Sequence, residues 1–113
     1  MKSKLLALSN NEEFRTLLKS KKASNKYVTI FFGRLNSKNK NNLNISFVTK
    51  KKIGNAVKRN KIKRRLRNIM KDAYKKISIN FNYSYLVIAK STMLNSEFKK
   101  IKETLFLDFE KIK

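Results

Sequence analysis

The chain has 113 residues, which suffice for one domain with a modest hydrophobic core, and 41% of the residues are hydrophobic. Its 29 Lys and Arg residues outnumber 7 Asp and Glu residues, and the net charge of +22 indicates a polyanionic partner, with nucleic acid ahead of an anionic membrane surface. The absence of Cys and His excludes disulfides, thiolate zinc sites, histidine metal ligands and a histidine general base.

The N-terminal segment, MKSKLLALSNNEEF, contains too short an apolar run for a signal peptide. The longest apolar run, Leu86 to Ala89 with Tyr85 ahead of it, cannot span a bilayer. We therefore expect a cytoplasmic protein with no membrane partner.

The first predicted element is a helix over residues 10–20. Ser9 and Glu12 have the spacing of a capping box, with Ser9 as the N-cap residue. Phe14, Leu17 and Leu18 then fall on one helical face, so this face is expected to pack on the domain.

Two strands are predicted next. Residues 26–35 are rich in β-branched and aromatic residues, and residues 43–49 alternate apolar and polar residues at their start. The polar segment NSKNKNN, residues 36–42, is predicted to be the loop between them. We expect the two strands to pair with each other.

A long basic helix is predicted after the second strand. Gly54 and Asn55 suit a tight turn with Asn55 as the helix cap, and the helix then runs to about Lys76. An apolar stripe follows at helical spacing: Ile62, Leu66, Ile69, Ala73 and Ile77. Polar and basic residues cluster almost opposite that stripe: Asn60, Arg64, Arg67, Lys71 and Lys75, with Lys63 beside them. Arg59 falls near the apolar side, so we expect it at the bend or with its head directed outward.

A third strand over residues 82–90 and a last helix capped by Asn95 complete the predicted elements. The last helix has an apolar stripe of Phe98, Ile101, Leu105, Phe109 and Ile112. The order α-β-β-α-β-α predicts one α+β domain over residues 1–113, an α/β sandwich with a small sheet and a long basic helix. The second strand, the long helix and the third strand form a β-α-β unit.

The basic helix has two interpretations, a solvated face or a phosphate-binding face. A solvated helix normally mixes charges through Glu–Lys pairs, but Asp72 is the only acid between residues 53 and 76. Phosphate binding is therefore favoured. RNA is favoured over DNA because a strand, and not a short helix with a tight turn, precedes the basic helix.

The seven acids are scattered along the sequence, and no pair stands out as a two-metal nuclease site. We therefore predict no catalytic residue and no metal site in this chain. Basic ribosomal or other RNA-binding proteins, a DNA-binding module and a membrane-surface protein remain as alternatives.

The run GNAVKRNKIKRRLR, residues 54–67, preceded by Lys51-Lys52, resembles the signature of the bacterial ribonuclease P protein subunit. Nearly the whole chain agrees with that family, including the Glu13-Phe14 pair of the first helix and the strand that ends in Ile88-Ala89-Lys90. The resemblance implies the ribosomal protein S5 domain 2-like fold, with a left-handed β-α-β crossover against the usual preference.

The resemblance also implies a function. Ribonuclease P removes the 5′ leader from precursor tRNA by endonucleolytic hydrolysis, and its RNA subunit carries the active site with Mg²⁺. The protein is then a non-catalytic subunit that binds the RNA subunit and precursor tRNA. No organic cofactor and no DNA partner are expected.

Residue roles follow from matched positions. The resemblance assigns RNA-subunit binding to Lys51, Lys52, Asn55, Arg59, Asn60, Lys63, Arg64, Arg67 and Lys71. It assigns the leader-binding cleft, between the first helix and the sheet, to Phe14, Leu18 and Phe31. Phe14 and Phe31 have a second interpretation as ordinary core residues, and Leu18 stands where other members can carry an aromatic residue. Ser46, Thr49-Lys50 and Lys90 depart from the residues most common in the family.

Overall fold

The computed structural model of the protein describes residues 5–6, 11–35 and 43–112. The predicted cap Ser9 and the predicted loop 36–42 lie outside these residues. The strands are β1 (Leu5–Leu6), β2 (Lys21–Ser24), β3 (Val28–Gly33), β4 (Leu43–Val48) and β5 (Ser84–Ala89). The helices are α1 (Asn11–Leu18), α2 (Ala56–Lys76) and α3 (Phe98–Lys111), and 3-10 turns cover Lys51–Ile53 and Ser91–Asn95.

The sheet has the order β1-β4-β5-β3-β2, with β4 parallel to β5 and β3 antiparallel to β5. The predicted pairing of the two strands now named β3 and β4 is therefore wrong, because β5 lies between them. The segment that joins β3 and β4 contains no Gly or Pro that would fix a tight hairpin. The most apolar strand, β5, is buried at the centre of the sheet, which removes both of its faces from water.

Two short strands, β1 and β2, were not predicted from the sequence. The sequence of β2, KKAS, has no alternation of apolar and polar residues and is held at the edge of the sheet by its backbone bonds to β3. Because β2 begins at Lys21, α1 ends at Leu18, two residues before its predicted end. The predicted α-β-β-α-β-α elements are otherwise all present, in an α+β fold with a β4-α2-β5 unit.

The two sheet faces differ in what covers them. α2 and α3 pack on one face, where Ile30, Ile45, Tyr85 and Val87 belong to the main core. The apolar stripe of α3 is buried at Ile101, Leu105, Phe109 and Ile112, as predicted. Among the described residues, only α1 packs on the opposite face, and its eight residues cover part of that face. This second face is therefore partly open.

The start of the last helix differs from the prediction. Asn95 ends a 3-10 turn, and α3 begins at Phe98 without a side-chain cap. Met93 within this turn is fully buried and belongs to the main core. Phe98, the first residue of the predicted stripe, is exposed, contrary to the prediction.

Candidate nucleic-acid interface

The basic helix α2 begins where the sequence predicts. The side-chain oxygen of Asn55 accepts a 3.0 Å hydrogen bond from the backbone N–H of Lys58, which caps the first turn. The predicted apolar stripe is buried at Ile62, Leu66, Ile69 and Ala73, and Ile77 closes the helix in a half-buried position. The stripe anchors α2 and fixes which of its faces meets water.

The opposite face of α2 is exposed. Asn60, Arg64, Arg67, Lys71 and Lys75 are all exposed, and Lys63 beside them is half-buried. Lys51, Lys52 and Asn55, at the corner before the helix, are exposed as well. The structure therefore brings the predicted RNA-subunit residues, except for Arg59, to one end and one side of α2. We call the exposed row of Asn60, Arg64, Arg67 and Lys71 the basic face.

No acid neutralises the basic face within the part of the chain that the structure describes. Asp72, the one acid of α2, forms an ion pair with Lys102 of α3, whose Nζ lies 2.6 Å from its Oδ2. The hydrogen bond from Lys102, helped by the charges of Lys102, Lys76 and Lys75, holds the pKa of Asp72 below its ordinary value although partial burial acts against this. Asp72 thus joins two helices and leaves the cations of the basic face unpaired.

The sequence predicted Arg59 either at the bend before α2 or with its charged head directed outward, and the structure shows an intermediate arrangement. It is half-buried, and its Nε is covered by protein without a hydrogen-bond partner among the described residues. Thr49 Oγ1, just after β4, is in the same condition. A buried hydrogen-bond donor without an acceptor destabilises the folded state by about 1–3 kcal/mol. An acceptor that reached Arg59 Nε would remove this penalty.

The open face of the sheet carries a second, smaller apolar cluster. Leu17 of α1 and Leu86 of β5 are buried at its centre. Half-buried residues surround them: Phe14, Phe31, Leu35, Val48 and Ile88. We call this surface between α1 and the sheet the cleft. Phe14 and Phe31 are partly exposed in it, a position that permits packing and stacking alike.

Leu18 does not belong to the apolar cluster that lies beneath the cleft. It is 48% exposed, whereas its neighbour Leu17 is fully buried. One residue along a helix turns the side chain by about 100°, so only one of the two adjacent leucines can point at the sheet. Leu17 therefore anchors α1 on the sheet beneath the cleft, and the assignment of the exposed Leu18 to the leader-binding cleft stays a prediction.

A lysine-rich groove of about 420 Å³ continues the cleft past Ile88. Lys50, Lys52 and Lys90 line it together with Thr29, and the ammonium group of Lys90 donates to Ser24 Oγ at 2.8 Å. Lys50 was not predicted to belong to a site. The run Lys50-Lys51-Lys52 was the one feature of the sequence that could have indicated it. Its position next to the end of β5 depends on the register between β4 and β5, which the sequence does not show.

Gly33 permits the close approach of α1 to the sheet. A Cβ at this position would lie 2.6 Å from Oγ and 2.9 Å from Cβ of Ser20, which follows α1. Any larger residue would push the end of α1 outward. The depth of the cleft therefore depends on this glycine.

The described residues contain no group of three acids, histidines or cysteines that could hold a metal ion. None of the helices in the described ranges has the length and apolar character needed to cross a membrane. The chemistry that the described surface offers is cationic binding along α2 and apolar contact in the cleft.

Comparison with known proteins agrees with this arrangement. The sequence model of the Ribonuclease P family matches residues 2–113. The ribonuclease P protein component of Carboxydothermus hydrogenoformans is 33% identical over 101 residues, which cover 87% of this chain and 83% of that protein. The protein component of Mesoplasma florum is 31% identical over 105 residues, with 93% and 92% covered.

Solved structures show the same fold. The RNase P protein from Thermotoga maritima superimposes with a TM-score of 0.79 at 22% identity, over 95% of this chain and 97% of that one. The Staphylococcus aureus RNase P protein superimposes with a TM-score of 0.71 at 28% identity, over 96% and 98%. The chain therefore belongs to the bacterial ribonuclease P protein family, the protein subunits of the ribonucleoprotein that removes the 5′ leader from precursor tRNA.

Proposed function

We propose that this chain binds the catalytic RNA subunit of ribonuclease P through the basic face of α2 and binds the 5′ leader of precursor tRNA in the cleft. The observation that carries the proposal is the split of α2 into a buried apolar stripe and an exposed row of cations without acid partners. Family membership makes RNA the partner, and the split supports the exposed side of α2 as the surface that binds it.

The basic face is suited to folded RNA. A rigid helix holds Arg64, Arg67 and Lys71 on successive turns, so each can meet a different phosphate without moving the others. Contacts of this kind release counterions, and six to ten of them reduce affinity by about 10³–10⁵ between 50 and 200 mM salt. The full set proposed to meet the RNA subunit is Lys51, Lys52, Asn55, Arg59, Asn60, Lys63, Arg64, Arg67 and Lys71.

The cleft is suited to an unpaired strand. Phe14 and Phe31 present partly exposed rings, on which bases stack with little dependence on sequence. Lys50, Lys52 and Lys90 continue the same surface and offer charges to the leader phosphates. A strand of the leader would thus run from the aromatic rings of the cleft to the lysine-rich groove.

Mg²⁺ is assigned to the RNA subunit. Mg²⁺ prefers oxygen ligands and keeps several waters, and phosphate oxygens supply such ligands in a folded RNA. The described acids of this chain are dispersed, and Asp72 is already paired with Lys102. We propose that the protein favours the metal-bound, substrate-bound state of the RNA by binding both polyanions, in the cytoplasm and without an organic cofactor.

Reconstitution tests the proposal. The purified chain is mixed with ribonuclease P RNA and a precursor tRNA at a Mg²⁺ concentration that is limiting for the RNA alone. We expect the chain to restore cleavage at the mature 5′ end. An oligolysine of the same charge is the control, and equal stimulation by both, or none by the chain, would contradict the proposal.

A further inference from the structure

A second row of cations lies on a different side of α2 from the basic face. Lys58, Lys61 and Arg65 are spaced by three and four residues, so they stack on one flank of the helix. At 100° per residue this row is turned roughly 120° from Arg64, Arg67 and Lys71. None of the three belongs to the positions assigned above to the RNA subunit.

This row lines a groove of about 310 Å³ together with the 3-10 turn before α3. We call it the flank groove. Its floor is apolar, from Ile62 and the fully buried Met93 with the half-buried Leu94. Asn95 is exposed at its rim and supplies an amide that both donates and accepts hydrogen bonds.

The charge of the flank groove is not compensated within the described residues. Farther along the same flank, Asp72 is occupied by Lys102. Glu97, two residues beyond Asn95, forms no ion pair with Lys58, Lys61 or Arg65. Three like charges around one concave surface repel one another unless an anion enters it.

The aliphatic part of the Lys58 side chain packs against Gly54. A Cβ on Gly54 would lie 3.0 Å from Cδ and 3.3 Å from Cβ of Lys58, so the lysine packs against the bare glycine backbone. The φ angle of Gly54, 163°, is extended and accessible to any residue. The absence of a side chain at Gly54 therefore leaves room for Lys58 to pack there. Because this packing already restricts the side chain of Lys58, less conformational entropy is lost when that lysine binds an anion.

We propose that the flank groove binds one unpaired, phosphate-bearing nucleotide of RNA, separately from the basic face and from the cleft. Lys58, Lys61 and Arg65 hold the phosphate, while the base or ribose lies on the half-buried Leu94 beside the amide of Asn95. An unpaired nucleotide fits better than a duplex, because a duplex keeps its bases stacked away from an apolar floor. The volume is at the lower end for ligand pockets, which suits a single nucleotide. The inference rests on the proposed function for the identity of the RNA.

The consequence is that RNA contacts α2 on two sides. One segment lies on the basic face, and a second, unpaired position is held on the flank that faces α3. Contacts on two sides would fix the rotation of α2 about its own axis relative to the RNA. A single row of cations would leave this rotation variable.

A charge-matched pair of variants tests the proposal. Lys58→Gln, Lys61→Gln and Arg65→Gln are combined in one variant, and Lys99→Gln, Lys100→Gln and Lys111→Gln, all exposed on α3, in the other. Each variant loses three charges. Binding to ribonuclease P RNA and to a uniform single-stranded oligoribonucleotide is measured against salt. The groove variant is expected to lower the slope for ribonuclease P RNA by about 2–3, and the α3 variant by less than 1. Equal slopes for the two variants would overturn the proposal.

Crosslinking supplies a second readout. Because the chain contains no Cys, Asn95→Cys provides one attachment point for a photo-crosslinker, and Lys71→Cys and Lys111→Cys provide comparisons. Residue 95 is expected to react with an unpaired nucleotide that differs from the one reached from residue 71. The proposal would be overturned if residue 95 reacted only with paired nucleotides, or if its crosslinking yield were as low as that of residue 111. If the Asn95→Cys protein crosslinks to the oligoribonucleotide but does not bind ribonuclease P RNA, the proposed function fails while the proposal for the flank groove stands.

Discussion

Leu17 of α1 and Leu86 of β5 lie buried together on the sheet face that α2 and α3 leave uncovered. Their exposed fractions are 0% and 1%, although α1 has only eight residues. This contact fixes α1 on the sheet and so sets one wall of the cleft. Phe14, one turn before Leu17, owes its position to the same contact.

Leu17→Ala should therefore destabilise the protein by about 2–5 kcal/mol, because it opens a cavity beneath α1. Leu18→Ala is the matched control and should cost less than about 0.5 kcal/mol, since Leu18 is largely exposed. Urea unfolding of both variants measures the difference. Similar losses for the two would show that α1 does not dock as described.

Phe14→Ala should weaken binding of leader-bearing precursor tRNA and leave binding of mature tRNA nearly unchanged. Loss of one stacking contact costs about 1–3 kcal/mol, which corresponds to about 5-fold to 150-fold in affinity. Phe98→Ala, an exposed aromatic residue on α3, is the control. Equal losses for both tRNAs would assign Phe14 to the core instead of the leader.

Arg64→Ala combined with Arg67→Ala should weaken binding to the RNA subunit and lower its salt dependence. Each lost phosphate contact removes about one unit from the slope of log affinity against log salt, so a decrease of about 2 is expected. Lys99→Ala with Lys100→Ala removes the same charge from α3. A slope that stays at the wild-type value would mean that these arginines do not meet phosphate.

The Asp72–Lys102 ion pair predicts a dependence of stability on pH. The hydrogen bond from Lys102 lowers the pKa of Asp72 below its ordinary 3.8, so the pair stabilises the folded state above that pH. The stabilisation is lost as the pH falls through the lower folded-state pKa. Because Asp72 is 42% exposed, the pair is worth only about 0.2–1 kcal/mol.

Chemical unfolding of wild type and Asp72→Asn from pH 7 to pH 2 measures this effect. The difference in the free energy of unfolding should be constant above about pH 5 and should shrink towards zero below 3.8. A difference that persists at pH 2 would assign the loss to packing instead of charge.

Local signals in the sequence predicted the elements best where they were strong. The cap at Asn55, the buried stripe through Leu66 and the exposed row at Arg64 and Arg67 all follow from spacing on one helix. A helix of 21 residues repeats its pattern often enough to be read without tertiary information. The strands predicted around Ile30, Ile45 and Val87 were found within two residues of their expected ends.

The predictions failed where the sequence carries no local signal, or where tertiary packing overrides one. The edge strand Lys21–Ser24 has a polar sequence and depends on β3 for its hydrogen bonds. Asn95 has the character of a cap, but the burial of Met93 draws its segment into a 3-10 turn. Leu17 and Leu18 are equally apolar, and only the docking angle of α1 selects Leu17.

The sequence by itself determined that the chain would form a cationic helix with one apolar side, since charge and hydrophobic spacing are properties of the residues alone. The tertiary structure decided that β5 separates β3 from β4, because strand order depends on which apolar strand gains most from the centre of the sheet. It also decided which surfaces surround α2. The cleft and the flank groove are assembled from residues far apart in the sequence, and their contacts exist only once the sheet has closed against the helices.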